Sequence, residues 1–324
     1  MEVQKGKLKQ KDPRHPLYLG QWKKGSRYQS KAFETEFLDE PHLKRKKVML
    51  QKYPEIKKLY GNEPRTALIG VFLVCIQLYM AYLVSTKWKD MNRTLLLAVT
   101  YAIGGTVSSM YGVIIHELSH CLVFKKLLYN RLFGLVINIP MVVPISQSFR
   151  RYHLEHHQFQ GVKGMDPDLP LEEEVQLVSN SSFLKLLWVM SYGVMYMVRG
   201  LRLGKQPTFW EIVNTLTMVL VNTIIYSTLG GRALAYLGLS VFLGYGLHPG
   251  AAHFIQEHFI FVDGQETYSY YGPAGEFYKS LYYHTSWTGI LAEFILNPKL
   301  SPNARLVRTF EDHKLGREQY LPPL

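Results

Sequence analysis

The chain has 324 residues, with 37 Lys and Arg against 25 Asp and Glu, twelve His and two Cys, for a formal net charge of +12. The excess is concentrated in residues 1–65, which hold 17 Lys and Arg against 8 Asp and Glu. No RNP, zinc-finger or helix-turn-helix pattern accompanies it, so no nucleic-acid partner is expected. Cys75 sits in an apolar run and Cys121 beside a histidine motif, which excludes a disulfide framework.

The arm is polar and basic with no apolar h-region, so no signal peptide is expected; beside membrane spans, it reads as a cytosolic segment obeying the positive-inside rule. Thr66 to Val84 (TALIGVFLVCIQLYMAYLV) carries no charge and is long enough to cross a hydrocarbon core of roughly 30 Å. Leu95 to Ile115 is a second span, returning the chain so that HELSH (His116 to His120) emerges on the cytosolic side. Leu132 to Ile145 contains Pro140 and Pro144 and is too short to cross, so it reads as a re-entrant or interfacial segment. It delivers RRYHLEHHQFQG (Arg150 to Gly161) to the same side. Pro167 and Pro170 mark a loop, and Glu172 to Glu174 a solvated acidic patch.

Three apolar segments follow: Phe183 to Val198, Ile212 to Leu229 and Ala233 to Leu247. For the histidines from His248 onward to join the earlier ones, an even number of crossings must intervene. The last two therefore form a hairpin turned at Gly230-Gly231-Arg232. The first, with its Arg199, Arg202 and Lys205 tail, lies at the cytosolic interface as an amphipathic helix. The expected fold is an all-α integral membrane protein with four transmembrane helices in two hairpins (about 66–84, 95–115, 212–229 and 233–247). A His-rich helical cap and both termini are cytosolic. The expected domains are a basic cytosolic segment 1–65, a membrane domain 66–273 and a cytosolic C-terminal segment 274–324.

His116 and His120 stand at i, i+4, and His153, His156 and His157 at i, i+3, i+4, each set on one helical face. His248, His253 and His258 recur every five residues in GLHPGAAHFIQEHFIF, a spacing that drifts around a helix. His15, His42 and His313 read as ordinary polar residues at headgroup level. H-E-x-x-H alone describes a zinc protease helix with Glu117 as base. That reading, which needs only one further acid, leaves H-L-E-H-H without a purpose. Eight candidate ligands, His116, His120, His153, His156, His157, His248, His253 and His258, imply two metals. Imidazole suits iron, copper and zinc alike. A His-rich dinuclear site at the cytosolic ends of membrane hairpins points to iron and oxygen chemistry on a lipid chain. Glu117, Glu155, Glu257 and Asp166 are the acids placed to orient the imidazoles.

The sequence resembles the sphingolipid Δ4-desaturases (dihydroceramide desaturases) of the membrane fatty-acid desaturase superfamily. The resemblance is carried by EPHLKRKKVMLQKYPEIKKLYGNEPRT (Glu40 to Thr66), HELSH, HLEHHQFQGVKGMDPDLP, HPGAAHFIQEHFIFVDGQETYSYYGP (His248 to Pro273) and HTSWTGILAEFILNPKLSPNARLVR (His284 to Arg308). It implies an endoplasmic-reticulum enzyme with two non-haem irons that uses O2 to introduce the 4,5-trans double bond of the sphingoid chain. Electrons would come from NAD(P)H through a separate cytochrome b5 and its reductase. One departure stands out. The family carries a third box of the H-N-E-H-H type, then D-F-P, between the YSYYGP and HTSW runs. Here AGEFYKSLYY leads straight into HTSW, and His284 aligns with the tail, not the box. Losing three imidazoles predicts near-total loss of turnover. A non-catalytic truncated form and a sphingolipid C4-hydroxylase are the alternatives.

Overall fold

The computed structural model describes residues 23–24, 41–162, 164–261, 267–268, 282–284 and 286–307. Most of the basic arm, the junction where the third box would stand, and His15 and His313 lie outside them. The described residues are almost wholly helical; extended pairing is confined to two-residue contacts, Lys23–Lys24 with Leu306–Val307 and Thr267–Tyr268 with Tyr282–Tyr283.

After a short α1 (Pro41–Lys52), the uncharged run forms α2 (Arg65–Thr86). At about 1.5 Å per residue it is long enough to span a bilayer. The chain turns and enters α3 (Arg93–Ser119). Asn92 caps that helix, its side-chain oxygen accepting from the Thr94 and Leu95 amides. Within α3, Thr100–Gly105 widens into a π turn. There the helix meets α10 (Gly231–Gly244) so closely that a Cβ on Gly244 would lie 2.5 Å from the Gly105 carbonyl oxygen. Small residues let the two backbones touch.

The long α9 (Phe209–Leu229) opens on a Thr208–Glu211 capping box and ends at Gly230, whose φ of 80° makes the turn into α10. Its outer face exposes Leu216, Val219, Leu220 and Ile224, as a lipid-facing helix would. Among the described residues three helices, α2, α3 and α9, are long and apolar enough to cross a membrane; a fourth candidate arises if the bent pair below is one span. The helix expected at 233–247 is shorter than that: α10 has 14 residues, about 21 Å, and stops at Gly244.

The segment expected to be re-entrant is α4 (Leu127–Asn138), followed by an elbow and α5 (Ser146–Phe159), bent by 115°. Asn138 holds the elbow. Its amide donates to the Val143 carbonyl, and its oxygen accepts from the Ile145 and Ser146 amides. The amphipathic segment becomes two helices, α7 (Ser182–Met190) and α8 (Tyr192–Arg202), after a short α6 (Glu172–Val178). With α11 (Ala252–Gln256) and α12 (Trp287–Leu296) they bury their own core of Trp188, Tyr192, Ile255, Phe259 and Phe294.

The two hairpin turns share one end of the bundle, where Arg232 donates to the Trp88 carbonyl at 2.8 Å. At the other end, Glu63 N–H meets the Leu122 carbonyl at 2.8 Å, so α2 begins where α3 stops. The histidine motifs gather at that second end. Arg199, almost wholly buried, joins the cap to it: the guanidinium pairs with Glu174 at 2.7 and 2.8 Å and donates to the Asp168 carbonyl. Arg199→Ala would leave Glu174 buried without its counter-charge. It is expected to cost roughly 3–5 kcal/mol of stability, measured as a lower thermal unfolding midpoint of the detergent-solubilised protein.

Candidate metal centre

Helix α3 runs out at HELSH because His120 leaves helical geometry and Cys121 takes a positive φ of 57°. Arg150 of α5 donates to the Ser119 carbonyl, pinning the second box against the first. Helical spacing on α5 then turns His153 and His157 toward α3 and His156 toward the cap.

Two groups result. In the first, His116, His120, His153 and His157 each present a ring nitrogen within 4.8 Å of the others. His153 Nε2 lies 2.9 Å from His120 Nε2 and 3.0 Å from His157 Nε2. In the second, ring nitrogens of His156 and His258 and a carboxylate oxygen of Asp168 lie within the same distance of one another, with His156 Nε2 3.2 Å from His258 Nε2.

The far ring nitrogens explain the contact in the second group. His156 Nδ1 donates to Asp166 Oδ1 at 2.8 Å, and His258 Nδ1 to the Phe254 carbonyl at 3.0 Å. His253 Nδ1 donates to the Gly250 carbonyl at 2.7 Å, and His116 Nδ1 faces Glu117 Oε1 at 3.3 Å. A neutral imidazole with its proton on Nδ1 keeps a lone pair on Nε2. Two such lone pairs about 3 Å apart repel unless a cation is shared between them. Nitrogens at right angles on an ion bound at about 2.1 Å are themselves about 3.0 Å apart. The donor set fits a metal: imidazoles in the first group, imidazoles and a carboxylate in the second.

Burial and the neighbouring imidazoles disfavour the cations of His120, His153 and His157. Burial, then the neighbouring imidazoles, lower His153 to about 2 and His157 to about 4, and His120 is lowered for the same reasons. His156 goes the other way. Burial disfavours its cation, but the Asp168 and Asp166 carboxylates outweigh that and raise it. Burial would raise Asp168 too, yet His156, His258 and Arg305 hold it below the usual carboxylate range.

Each expected site residue has a definite position. His116, His120, His153 and His157 share one group, and His156 and His258 the other. His253 lies outside both, close enough to feel His258 and His116. His248 is elsewhere, its Nδ1 accepting from the Gly250 amide and its Nε2 facing the Thr106 hydroxyl at 3.3 Å. Of the acids, Asp166 and Glu117 touch imidazoles, Glu257 is an exposed neighbour of His253, and Glu155 turns away to Lys205 at 2.5 Å.

Two residues went unread in the sequence. Asp168 was legible as the second acid of Asp166-Pro167-Asp168, where a fixed turn after a histidine box places both carboxylates on one side. Phe149 carried no such signal. Its ring stacks on His153 at 4.9 Å and also lines an apolar cleft enclosing about 890 Å³ of non-atom space, its open mouth included. Met141 and Val142 of the elbow, Tyr196 of α8, Val241 of α10 and Phe254 complete the walls.

Residues 93–296 match the fatty acid desaturase family model, and residues 37–65 match that of the sphingolipid Δ4-desaturases. A sphingolipid delta(4)-desaturase of Drosophila melanogaster is 36% identical over 318 aligned positions, covering 88% of this chain and 98% of the fly protein.

The chain belongs to the sphingolipid Δ4-desaturase family.

Its other relatives include a delta(4)-desaturase-like protein of Arabidopsis thaliana, 35% identical across 85% of this chain and 91% of the plant protein. The Homo sapiens delta(4)-desaturase is 34% identical across 88% and 97%. This is an oxidoreductase family with a lipid substrate, set in a membrane, and the apolar cleft abutting a histidine group suits both. The fly alignment has 318 positions but draws on 88% of 324 residues, about 285, so about 33 positions of the fly desaturase face a gap.

The electrostatics of the desaturase's histidines set a pH dependence. His153 and His157 titrate lower in the folded state than the ordinary 6.5. Their contribution is therefore complete above pH 6.5 and is lost as pH falls toward 4, where the unfolded chain binds more protons. His156, raised, acts oppositely: its contribution is present below pH 6.5 and lost as pH rises through its folded value. The chelator-treated protein is expected to show a falling unfolding midpoint between pH 6.5 and 4, and His157→Gln should flatten that slope.

Proposed function

We propose that the chain is built to desaturate dihydroceramide to ceramide, with its histidine groups holding two non-haem irons at the cytosolic face of the endoplasmic reticulum membrane. Iron supplies the oxidising power, with O2, to take hydrogen from an unactivated methylene. The reaction balances as one hydrogen removed from each of two adjacent carbons and O2 reduced to two waters. Two electrons come from NAD(P)H through a separate cytochrome b5 and its reductase. His116, His120, His153 and His157 hold one ion; His156, His258 and Asp168 hold the other, with His253 adjacent. Asp166 and Glu117 orient His156 and His116. His248 serves instead to cap the turn at Pro249. The observation that carries this reading is Phe149, which joins the two halves of the site: one ring packs on a converging imidazole and walls the apolar cleft. A dry channel that presents one carbon to the metals is what the reaction needs.

The four-span topology belongs to the same proposal. The hairpin turns share one end of the bundle and the histidines the other. The short α10 completes the second hairpin by local thinning of the bilayer. Both termini then lie on the cytosolic side, with 1–65 as a basic surface arm, 66–273 as the membrane domain and 274–324 as the tail.

The chain is also short of a complete centre. The family's third box has no counterpart between Pro273 and His284, and about thirty positions unmatched in the fly alignment agree with a single deletion. The second group, with two imidazoles and one carboxylate, is where the missing ligands would belong. This favours a second reading of the present chain as a non-catalytic form that retains the lipid cleft.

Expressed in microsomes from desaturase-null cells, the chain is expected to form ceramide at least about 100-fold more slowly than a version carrying the fly segment between Pro273 and His284. The inserted version should bind two irons per chain. Normal turnover and two irons without the insertion would refute the deletion reading. A 4-hydroxylated product would assign the site to C4-hydroxylation instead.

A further inference from the structure

The elbow between α4 and α5 carries a strained valine. Val142 has φ 66° and ψ −35°, a region in which a β-branched residue is an outlier. Across it the Val143 amide closes on the Met141 carbonyl at 2.7 Å, a tight γ-turn. Two amides hold the turn in place: Asn222 of α9 donates to the Val142 carbonyl at 2.7 Å, and Asn138 to the Val143 carbonyl at 2.6 Å. Strain that the surroundings enforce points to a side chain with a task. Val142 lines the apolar cleft and also packs against the cluster of Met80, Val84, Ile225 and Leu237. Met80 and Val84 lie late in α2, toward the hairpin end and away from the histidines.

Helix α10 forms the facing wall. Gly238, Val241, Phe242 and Tyr245 fall at i, i+3, i+4 and i+7, on one helical face, and all four line the cleft. The helix runs from the hairpin turn at Gly230 toward the histidine end, so Gly238 is its lining residue farthest from the histidines. One turn before it, Leu234 packs on the same cluster as Val142 and does not line the cleft. A glycine inside a helix is destabilising relative to alanine. Gly244 has a packing reason to be one, but a Cβ on Gly238 would meet no atom within 4 Å. What Gly238 leaves is open space inside the cleft.

We propose that Gly238 and Val142 form the floor of the cleft and set the length of alkyl tail it accepts. The tail is that of the sphingoid base, beyond its reacting carbons; the inference rests on the lipid reading above and deepens it. The reacting end lies by Phe149, whose ring stacks on His153. From Tyr245 down to Gly238 the lining face runs about 10 Å at 1.5 Å per residue. A side chain added at Gly238 takes the place of the last tail carbons, and removing the Val142 side chain adds room beneath them. Both are therefore specificity-determining residues, acting at the end of the cleft away from the chemistry.

The test is binding and needs no turnover. The full chain, purified in detergent, is titrated with short-acyl dihydroceramides whose bases run from ten to twenty-two carbons, compared at equal mole fraction in the same micelles. Affinity is expected to hold up to a limiting length and to fall at least about tenfold for bases two or more carbons longer, because the cleft is then overpacked. Gly238→Leu should shorten that limit by at least two carbons, and Val142→Gly should lengthen it. The ten-carbon base should bind all three proteins alike, which separates a moved floor from a misfolded chain. Should Gly238→Leu fail to fold, Gly238→Ala should keep the parent's unfolding midpoint and shorten the limit by about one carbon. A limit that is missing in the parent, unmoved in the variants or moved the same way by both would overturn the floor and leave the lipid reading standing. Failure of every dihydroceramide to bind the parent chain would overturn the lipid reading and the floor with it.

Discussion

Imidazoles whose Nδ1 protons are tied to fixed oxygens must point their Nε2 lone pairs elsewhere, and here they point at one another. His156 is tied to Asp166 and His258 to the Phe254 carbonyl; His116 faces Glu117. That anchoring sets tautomer and ring orientation together. The close nitrogen contact at 3.2 Å between His156 and His258 follows from it. It is an arrangement of high energy for two such neutral rings alone and of low energy around a metal.

The rest of the fold holds those oxygens still. Asp166 does more than orient His156: its second oxygen accepts from the Gly161 amide at 2.7 Å, so the carboxylate also stitches the loop to the end of α5. The same loop is gripped from the cap, where Arg199 and Arg305 both donate to the Asp168 carbonyl. Arg199 is bound in turn to Glu174, which accepts from the Trp188 indole at 2.8 Å. A chain of buried charges thus connects the cap core to the second histidine group. Within it Arg199 and Glu174 satisfy each other, which gives the cap its precision without a long helix.

Membrane and cap divide the work. The bundle supplies one wall of the apolar cleft, α8 and Phe254 of the cap completing it, and sets the axial position of HELSH through the close approach of Gly244 to α3 and the elbow held by Asn138. The cap supplies His258, Asp168 and the phenol of Tyr196. Phe149 belongs to both, so the reacting end of a bound chain is defined where the two layers meet.

Much of this was present in the primary structure. Uncharged runs of bilayer length are local properties, as are histidines at i, i+3 and i+4, and both give their elements directly: α2, α3 and α9, and the shared faces of HELSH and HLEHH. The 14-residue length of α10 was not, because Tyr245 to Leu247 continue the apolar run after the helix has ended. Nor was the sorting of three evenly spaced histidines into one in a converging group (His258), one beside it (His253) and one used as a cap (His248). That spacing is the same for all three, and what separates them is the turn at Pro249 and which oxygen each Nδ1 reaches. Phe149 was decided by tertiary structure alone. A side chain's periodicity tells which way it faces on its own helix, but only packing between distant segments determines what it meets there.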